Sequence, residues 1–231
     1  MTINEYFGDW SKVIDLEETK KIMHALSKSK AKICPLFQDI FKAFKMCPLN
    51  DLKVVILGQD PYNNLHTVNT SKVPVATGLA FANSSDTTED CYSTSLEILK
   101  ESVIDYTMPH GLINFDPSLE KWEAQGVLLL NTALSCELGK PGSHSLLWRP
   151  FTRSLLRNLS MYHSGIAYVL MGSNALSFEP YIRKECNSVF RIRHPSWYAR
   201  NEHRMPSEIW REVNSYVLKQ TGTEIEWYTT Y

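Results

Sequence analysis

A carboxamide, a carboxylate and a phenol stand close together in the segment GQDPY. The run Lys53–Leu57, which is typical of a buried strand, leads into this segment without a spacer. Gln59, Asp60 and Tyr62 are therefore delivered together at the C-terminal end of a strand, where ligands bind in open α/β sheets. A structural turn has little need of this set of groups, so the segment predicts a functional site.

Further polar and aromatic residues accompany the other apolar runs. Asn131 ends VLLLN, and Ser173 follows VLMG. His194 and Ser196 stand in HPS after another run, and Phe81 stands in GLAF, near the first loop. Taken singly, the asparagine suits a helix cap, the histidine a structural imidazole and the phenylalanine a core position. Because the C-terminal ends of parallel strands converge on one crevice, their shared placement favours a single site.

Four short runs rich in Val, Ile or Leu predict the strands that position these residues. They are Lys53–Leu57, Gly126–Leu130, Ile166–Met171 and Val189–Arg193. Helical periodicity predicts the helices Leu16–Leu26, Leu36–Phe44, Ser95–Val103, Pro150–Leu159 and Pro206–Leu218, with both prolines in first turns. This alternation predicts a parallel sheet covered on both faces. The polar stretch 63–77 is expected to be a loop, and residues 1–231 to form a single domain.

The overall composition indicates no particular class of partner. Among 231 residues, 25 acids against 24 bases leave a net charge of −1, so any basic nucleic-acid footprint must be local. No apolar run approaches the ~20 residues of a membrane span, and the start does not resemble a signal peptide. The five scattered cysteines lack a Cys-x-x-Cys pair, which disfavours a zinc or iron–sulfur site and favours reduced thiols in an intracellular protein.

The segments GQDPY, GLAF, SLEI, GVLLLNTALS, GS and HPS resemble those of the family-1 uracil-DNA glycosylases in order and approximate spacing. The resemblance extends from about Pro35 to Trp227. It implies a three-layer α/β/α fold with a central four-stranded parallel sheet, in agreement with the four predicted strands. It also implies a DNA repair enzyme that flips uracil out of DNA and hydrolyses its N-glycosidic bond, leaving an abasic site, without a metal or cofactor.

The resemblance implies roles in base binding for four residues. Asn131 matches the asparagine that reads uracil N3–H and O4, and Tyr62 matches a steric gate against the thymine methyl group. Phe81 matches the aromatic residue that stacks on the flipped base. Gln59 matches a position whose backbone contacts the base and the attacking water.

The resemblance also implies two catalytic residues, Asp60 and His194. A carboxylate beside the anomeric carbon can stabilise the cationic sugar and orient water. An imidazole beside uracil O2 can donate a hydrogen bond that strengthens as negative charge develops there. No lysine falls among the matched residues, so a monofunctional enzyme is expected, in which water attacks the sugar.

Contacts to the DNA backbone and an intercalating wedge complete the implied site. Ser95, Ser173 and Ser196 match the serines that hold the flanking phosphates. Tyr198, preceded by Trp197, falls where the family carries its intercalating leucine, so an aromatic wedge is predicted. The segment 183–211 is locally basic, which favours a surface that faces DNA.

Two departures from the family pattern bear on the substrate range. Asn63 replaces the family's histidine, and the stretch 63–77 is longer than usual. A glycosylase of the same fold with shifted pyrimidine specificity and a non-catalytic DNA-binding processivity subunit therefore remain alternatives. The expected partner is uracil-containing DNA, with a proteinaceous inhibitor and replication or repair proteins as further candidates. A monomer in the cytoplasm, or in the nucleus of a eukaryotic host, is expected.

Overall fold

Helices and strands alternate along the computed structural model, which describes residues 2–68, 70–107 and 113–230. The helices are α1 Ile3–Phe7, α2 Leu16–Lys28, α3 Lys42–Met46, α4 Thr94–Thr107, α5 Glu120–Glu123, α6 Ser145–Tyr162, α7 Gly172–Leu176, α8 Pro195–Arg200 and α9 Glu208–Thr221. The strands are β1 Ile33–Cys34, β2 Val54–Gly58, β3 Leu65–Val68, β4 Ser71–Pro74, β5 Ile113–Asn114, β6 Val127–Asn131, β7 Cys136–Glu137, β8 Ala167–Met171, β9 Ser188–Ile192 and β10 Thr229–Thr230. Within the described ranges, no helix has both the length and the apolar character needed to cross a membrane.

A four-stranded parallel sheet in the order β6-β2-β8-β9 forms the centre of the fold. Every residue of β2, β6 and β8 is buried, as expected of parallel strands covered by helices, and β9 is a partly exposed edge strand. Helix α4 contacts α8 and α9, and α9 also contacts β8 and β9, whereas α6 contacts α2. The prediction of a three-layer α/β/α fold with this sheet is confirmed, and every strand boundary lies within one residue of its predicted position.

The register of the sheet brings the site residues to one edge. Gly58 and Asn131 are direct partners at the ends of β2 and β6. Met171 of β8 likewise pairs with Ile192 of β9, two residues before His194. Asn131 and Gly58 are therefore the last residues of their strands. The sequence pattern instead predicts that the strand stops at Leu57, one residue before Gly58.

Three helix predictions are corrected by the structure. The predicted helix Leu36–Phe44 is divided into a 3-10 turn, Phe37–Asp39, and helix α3, because the core takes up Ile40, Phe41 and Phe44 but leaves Leu36 and Phe37 exposed. Pro150 lies inside α6 and not in its first turn, since the leucine-rich segment before it is already helical. Pro206 lies just before α9, outside the helix.

The polar stretch after the first site segment is a hairpin, not the predicted loop. Strands β3 and β4 pair antiparallel from Leu65–Pro74 to Val68–Ser71, and Asn69 lies outside the described residues. Thr70 has a positive φ of 80°, as tight hairpin turns require. Residues that favour strands, namely Thr67, Val68 and Val73, stand on both sides of the turn, and they were the overlooked signal.

Candidate functional site

A cavity of about 790 Å³ opens at the C-terminal edge of the parallel sheet. Its wall contains every predicted site residue except Tyr198: Gln59, Asp60, Tyr62, Phe81, Ser95, Asn131, Ser173, His194, Ser196 and Trp197. These residues come from segments far apart in the chain, and the parallel register of the strands brings them together. The predicted convergence on one crevice is therefore found in the structure.

Gly58 makes room for two of the predicted base-binding groups. A Cβ at this position would lie 2.6 Å from Asn131 Oδ1 and 3.0 Å from Phe81 Cζ. The Asn131 side chain is nearly buried and makes no hydrogen bond with any described residue, so its donor and its acceptor are both available in the cavity wall. The missing side chain of Gly58 thus fixes where the carboxamide and the ring lie.

Gln59 is held through its backbone. Its carbonyl oxygen accepts hydrogen bonds from Thr132 Oγ1 at 2.6 Å and from the Ala133 amide at 3.0 Å. These bonds join the segment after β2 to the segment after β6, which fixes one wall of the cavity.

Tyr62 and Phe81 are coupled by a hydrogen bond. The Tyr62 hydroxyl donates to the Phe81 carbonyl at 2.9 Å, and burial raises the pKa of the phenol, which keeps it a donor. Phe81 has a positive φ of 66°, a backbone conformation that non-glycine residues rarely adopt and that is often found at functional sites. Its ring centroid lies 5.6 Å from that of His194. The predicted gate and stacking residues therefore form one unit beside the histidine.

Asp60 is oriented by a loop that the sequence did not single out. The Gly142 amide donates to Asp60 Oδ2. Burial raises the pKa of Asp60, and this hydrogen bond opposes the shift. The loop is anchored by buried side chains: Trp148 Nε1 donates to Ser135 Oγ at 2.8 Å, and Ser135 Oγ lies 2.9 Å from His144 Nδ1. An indole N–H can only donate, so the Ser135 hydroxyl accepts from Trp148.

His194 is a neutral hydrogen-bond donor. It caps α8, and its Nδ1 accepts from the Ser196 amide at 3.2 Å and lies 2.9 Å from Ser196 Oγ. Burial, reinforced by the positive charge of Arg200, lowers the pKa of His194 to about 4. Since Nδ1 accepts, the single proton of the neutral ring belongs on Nε2. Gly172, at φ +90°, allows this approach, because a Cβ there would lie 2.8 Å from His194 Cβ.

The two residues predicted as a wedge lie in different environments. Tyr198 is only 7% exposed and packs in the hydrophobic core, which does not agree with an intercalating role. Because α8 turns this side chain inward, the prediction for Tyr198 is corrected. Trp197 lies on the cavity wall, with the Arg193 guanidinium 3.9 Å from its ring centre and the His203 ring stacked on it at 5.5 Å.

The three predicted phosphate-binding serines surround the cavity at different depths. Ser95 is buried near the start of α4, Ser196 is half-buried and Ser173 is exposed on α7. Arg193 and Arg200 are exposed beside them, and neither forms an ion pair with a described carboxylate. Hydroxyl groups and cations are therefore available around the mouth, as phosphate binding requires.

Sequence reasoning missed Gly142 and underestimated Gly58 and Gly172. The Pro141-Gly142 dipeptide is a turn signal, but no sequence rule links this turn to a carboxylate 82 positions earlier. The two other glycines matter through side chains that approach them from neighbouring strands. Asn63 and Asn64 also line the cavity, which places the first departure from the family pattern in its wall.

Comparison with known proteins identifies one family. The sequence profile of the Uracil DNA glycosylase superfamily matches residues 44–218. The chain is 34% identical over 216 residues to a uracil-DNA glycosylase of Campylobacter lari, covering 92% of this chain and 86% of that protein. The crystal structure of mimivirus uracil-DNA glycosylase superposes with a TM-score of 0.75 at 20% identity, over 98% of this chain and 93% of that one. A mimivirus UNG variant in complex with UGI superposes with a TM-score of 0.78 at 22% identity, over 94% and 83% of the two chains.

Proposed function

The chain belongs to the uracil-DNA glycosylase superfamily, and we propose that the cavity at the sheet edge is its active site. The enzyme excises uracil from DNA in base excision repair: it hydrolyses the N-glycosidic bond and leaves an abasic site. The observation that carries the proposed site is the convergence of Asp60, Asn131 and His194 in one cavity with the Phe81 ring. DNA binding alone does not require all three polar groups.

Base recognition rests on Asn131. A base inside a duplex cannot be reached, so the uracil must leave the stack and enter the cavity. The carboxamide accepts from uracil N3–H and donates to O4, and Gly58 keeps it in place. Cytosine presents the opposite donor and acceptor at these atoms, and each mismatched buried group costs on the order of 1–3 kcal/mol. The hydrogen-bonded Tyr62–Phe81 unit provides the stacking face and the gate against the thymine methyl group.

Bond cleavage is divided between Asp60 and His194. As the bond from C1′ to N1 breaks, its electron pair passes to the uracil and positive charge develops on the sugar. The Asp60 carboxylate, oriented by Gly142, stabilises that charge and positions the water that attacks C1′. The neutral His194 donates from Nε2 to uracil O2, where negative charge develops. A preorganised donor of this kind is worth ~2.7–4 kcal/mol.

DNA is held at the mouth of the cavity by the three serines with Arg193 and Arg200, and Trp197 is assigned as the wedge. A protein inhibitor is a candidate partner, because the mimivirus relative forms a complex with UGI. Four further proposals rest on the sequence. They are an interaction with replication or repair proteins, a monomeric state, one domain over residues 1–231 and a cytoplasmic or nuclear location. One continuous core cluster, which joins the helices to the central sheet, supports the single domain.

The deciding experiment uses three oligonucleotides that carry uracil, thymine or 5-hydroxymethyluracil at the same position. Each is incubated with the enzyme, treated with alkali to cleave abasic sites and separated on a gel. Cleavage at uracil alone is expected. Cleavage at another base would favour the shifted specificity that Asn63 and the β3–β4 hairpin allow. Binding without cleavage of any substrate would favour the non-catalytic subunit.

A further inference from the structure

Three arginines form a line along one face of helix α6. Arg149, Arg153 and Arg157 are spaced by four residues, so their side chains lie one turn apart, and the line extends over about 12 Å. All three are exposed, and none forms an ion pair with a carboxylate among the residues that the structure describes. We refer to these three residues as the α6 stripe.

Aromatic rings and shallow grooves border the α6 stripe. The guanidinium of Arg149 lies 4.9 Å from the centre of the Phe178 ring, and that of Arg153 lies 6.0 Å from the centre of the Tyr181 ring. Two surface grooves of about 400 and 630 Å³ adjoin the stripe and share Arg157 and Tyr181 in their walls. The smaller groove also contains Ser154 and Asn158. Phe178 is buried, so positive charge, the half-buried Tyr181 ring and hydroxyl or amide groups are combined on this surface.

The nearest helical turn does not neutralise the α6 stripe. Glu179, next to Pro180 and Tyr181 in the same 3-10 turn, is bonded to both Arg191 and Lys184. These partners lower the pKa of Glu179 to about 2, so its charge is already compensated. The stripe therefore presents uncompensated positive charge on a protein whose net charge is −1.

The α6 stripe begins close to the active-site cavity. Arg149 Nη1 donates to Ser177 Oγ at 3.4 Å, and Ser177 caps α7, which contributes Ser173 and Asn174 to the cavity wall. Helix α6 leads into β8 and therefore runs against the direction of the strands, with its first turn on the cavity side. The stripe thus runs from the rim of the cavity down the side of the molecule.

We propose that the α6 stripe binds the backbone of a single-stranded DNA segment that flanks the excised uracil. This inference rests on the proposed function. Positively charged grooves with aromatic faces are typical of single-strand binding. A duplex, whose persistence length is ~150 base pairs, turns from the cavity mouth down the side of the protein only at a bending cost of about 1–6 kcal/mol, whereas a single strand is flexible. The stripe therefore adds more affinity for single-stranded substrates than for duplexes.

The test compares two double variants that remove equal charge. Arg153→Gln/Arg157→Gln changes the stripe, and the control variant Lys28→Gln/Lys219→Gln removes two exposed cations from α2 and α9, outside the basic segment 183–211. Binding of a fluorescent oligothymidylate of about 25 residues, which contains no uracil, is measured by anisotropy over a range of salt concentrations. Loss of two phosphate contacts should lower the slope of log affinity against log salt concentration by about 1.4 in magnitude. If the stripe variant and the wild type bind equally at about 1 M salt, the variant should then bind about 25-fold more weakly at about 0.1 M. The control variant is expected to change binding less than about twofold.

Excision of uracil from a trinucleotide, too short to reach the stripe, serves as the control for the active site. The stripe variant should retain the wild-type kcat/KM on it, and Arg153→Lys/Arg157→Lys should restore most of the oligothymidylate binding. Equal weakening in the stripe and control variants would overturn the proposal, since total charge would then explain it. Unchanged oligothymidylate binding in the stripe variant would also overturn the proposal. An acidic protein would then be the better candidate for a partner of this surface. A wild-type enzyme that does not excise uracil from any substrate would instead refute the proposed function.

Discussion

Substituting Gly58 by alanine should disable base recognition without unfolding the protein. The new Cβ would lie 2.6 Å from Asn131 Oδ1, and ordinary contact begins at 3.4 Å, so the carboxamide must move by about 0.8 Å. The Phe81 ring, 3.0 Å from the same point, must also yield. Displacement by ~1 Å of a group that positions substrate can cost about a hundredfold in rate, or ~2.7 kcal/mol. Single-turnover excision of uracil should therefore fall by about that factor.

A double-variant cycle separates this explanation from a general disturbance of strand β2. In an Asn131→Ala background, no carboxamide remains to be displaced, so Gly58→Ala should cost much less than in the wild type. Urea unfolding of all four proteins checks that each is folded at the assay temperature. Additive losses in the cycle would refute the reasoning, because they would show that Gly58 does not act through Asn131.

Four further predictions concern the same cavity. His194→Ala and Asp60→Ala should each slow single-turnover excision by at least about a hundredfold while DNA affinity, measured by anisotropy, stays largely intact. Asn131→Asp should release cytosine as well as uracil, because one amide donor becomes an acceptor; product analysis on both substrates decides this. Trp197→Ala should slow excision from duplex DNA more than from single strands, and equal losses would exclude a wedge. Because the pKa of His194 is about 4, the rate should not titrate near the ordinary histidine value of about 6.5. The native state then binds fewer protons than the unfolded chain below that pH, so this residue makes the free energy of unfolding decline as pH falls from about 6.5 to about 4.

Sequence patterns were informative where one strand or one motif carries the signal. Runs such as VVIL and VLLL are buried on both faces, so their composition alone predicts inner strands of a parallel sheet. The placement of Asn131 and His194 followed from the rule that such strands end at one edge. Trp197 and Tyr198 could not be separated in this way. Which of these two adjacent side chains faces the core depends on how α8 packs, and the local sequence pattern does not predict that packing.

The same limit applies to contacts between distant segments. The importance of Gly58 comes from a carboxamide on β6 and a ring from the loop before α4, and that of Gly142 from a carboxylate after β2. In the sequence, each of these glycines is indistinguishable from a glycine that only forms a turn. Their roles become clear only in the structure, where Asn131 and Phe81 approach Gly58 and the Asp60 carboxylate accepts from the Gly142 amide.

The different charge states proposed for Asp60 and His194 depend on burial together with the neighbours of each group. Burial disfavours charge on both groups: it raises the pKa of the carboxyl and lowers that of the imidazole. At Asp60 the Gly142 amide opposes burial and favours the anion, whereas at His194 the charge of Arg200 adds to burial and favours the neutral ring. The two side chains therefore do not neutralise each other as an ion pair. The Gly142 amide favours the anion that faces the cationic sugar, and burial of His194 favours the uncharged N–H donor for the departing uracil, which is the division of charge that cleavage of the glycosidic bond needs.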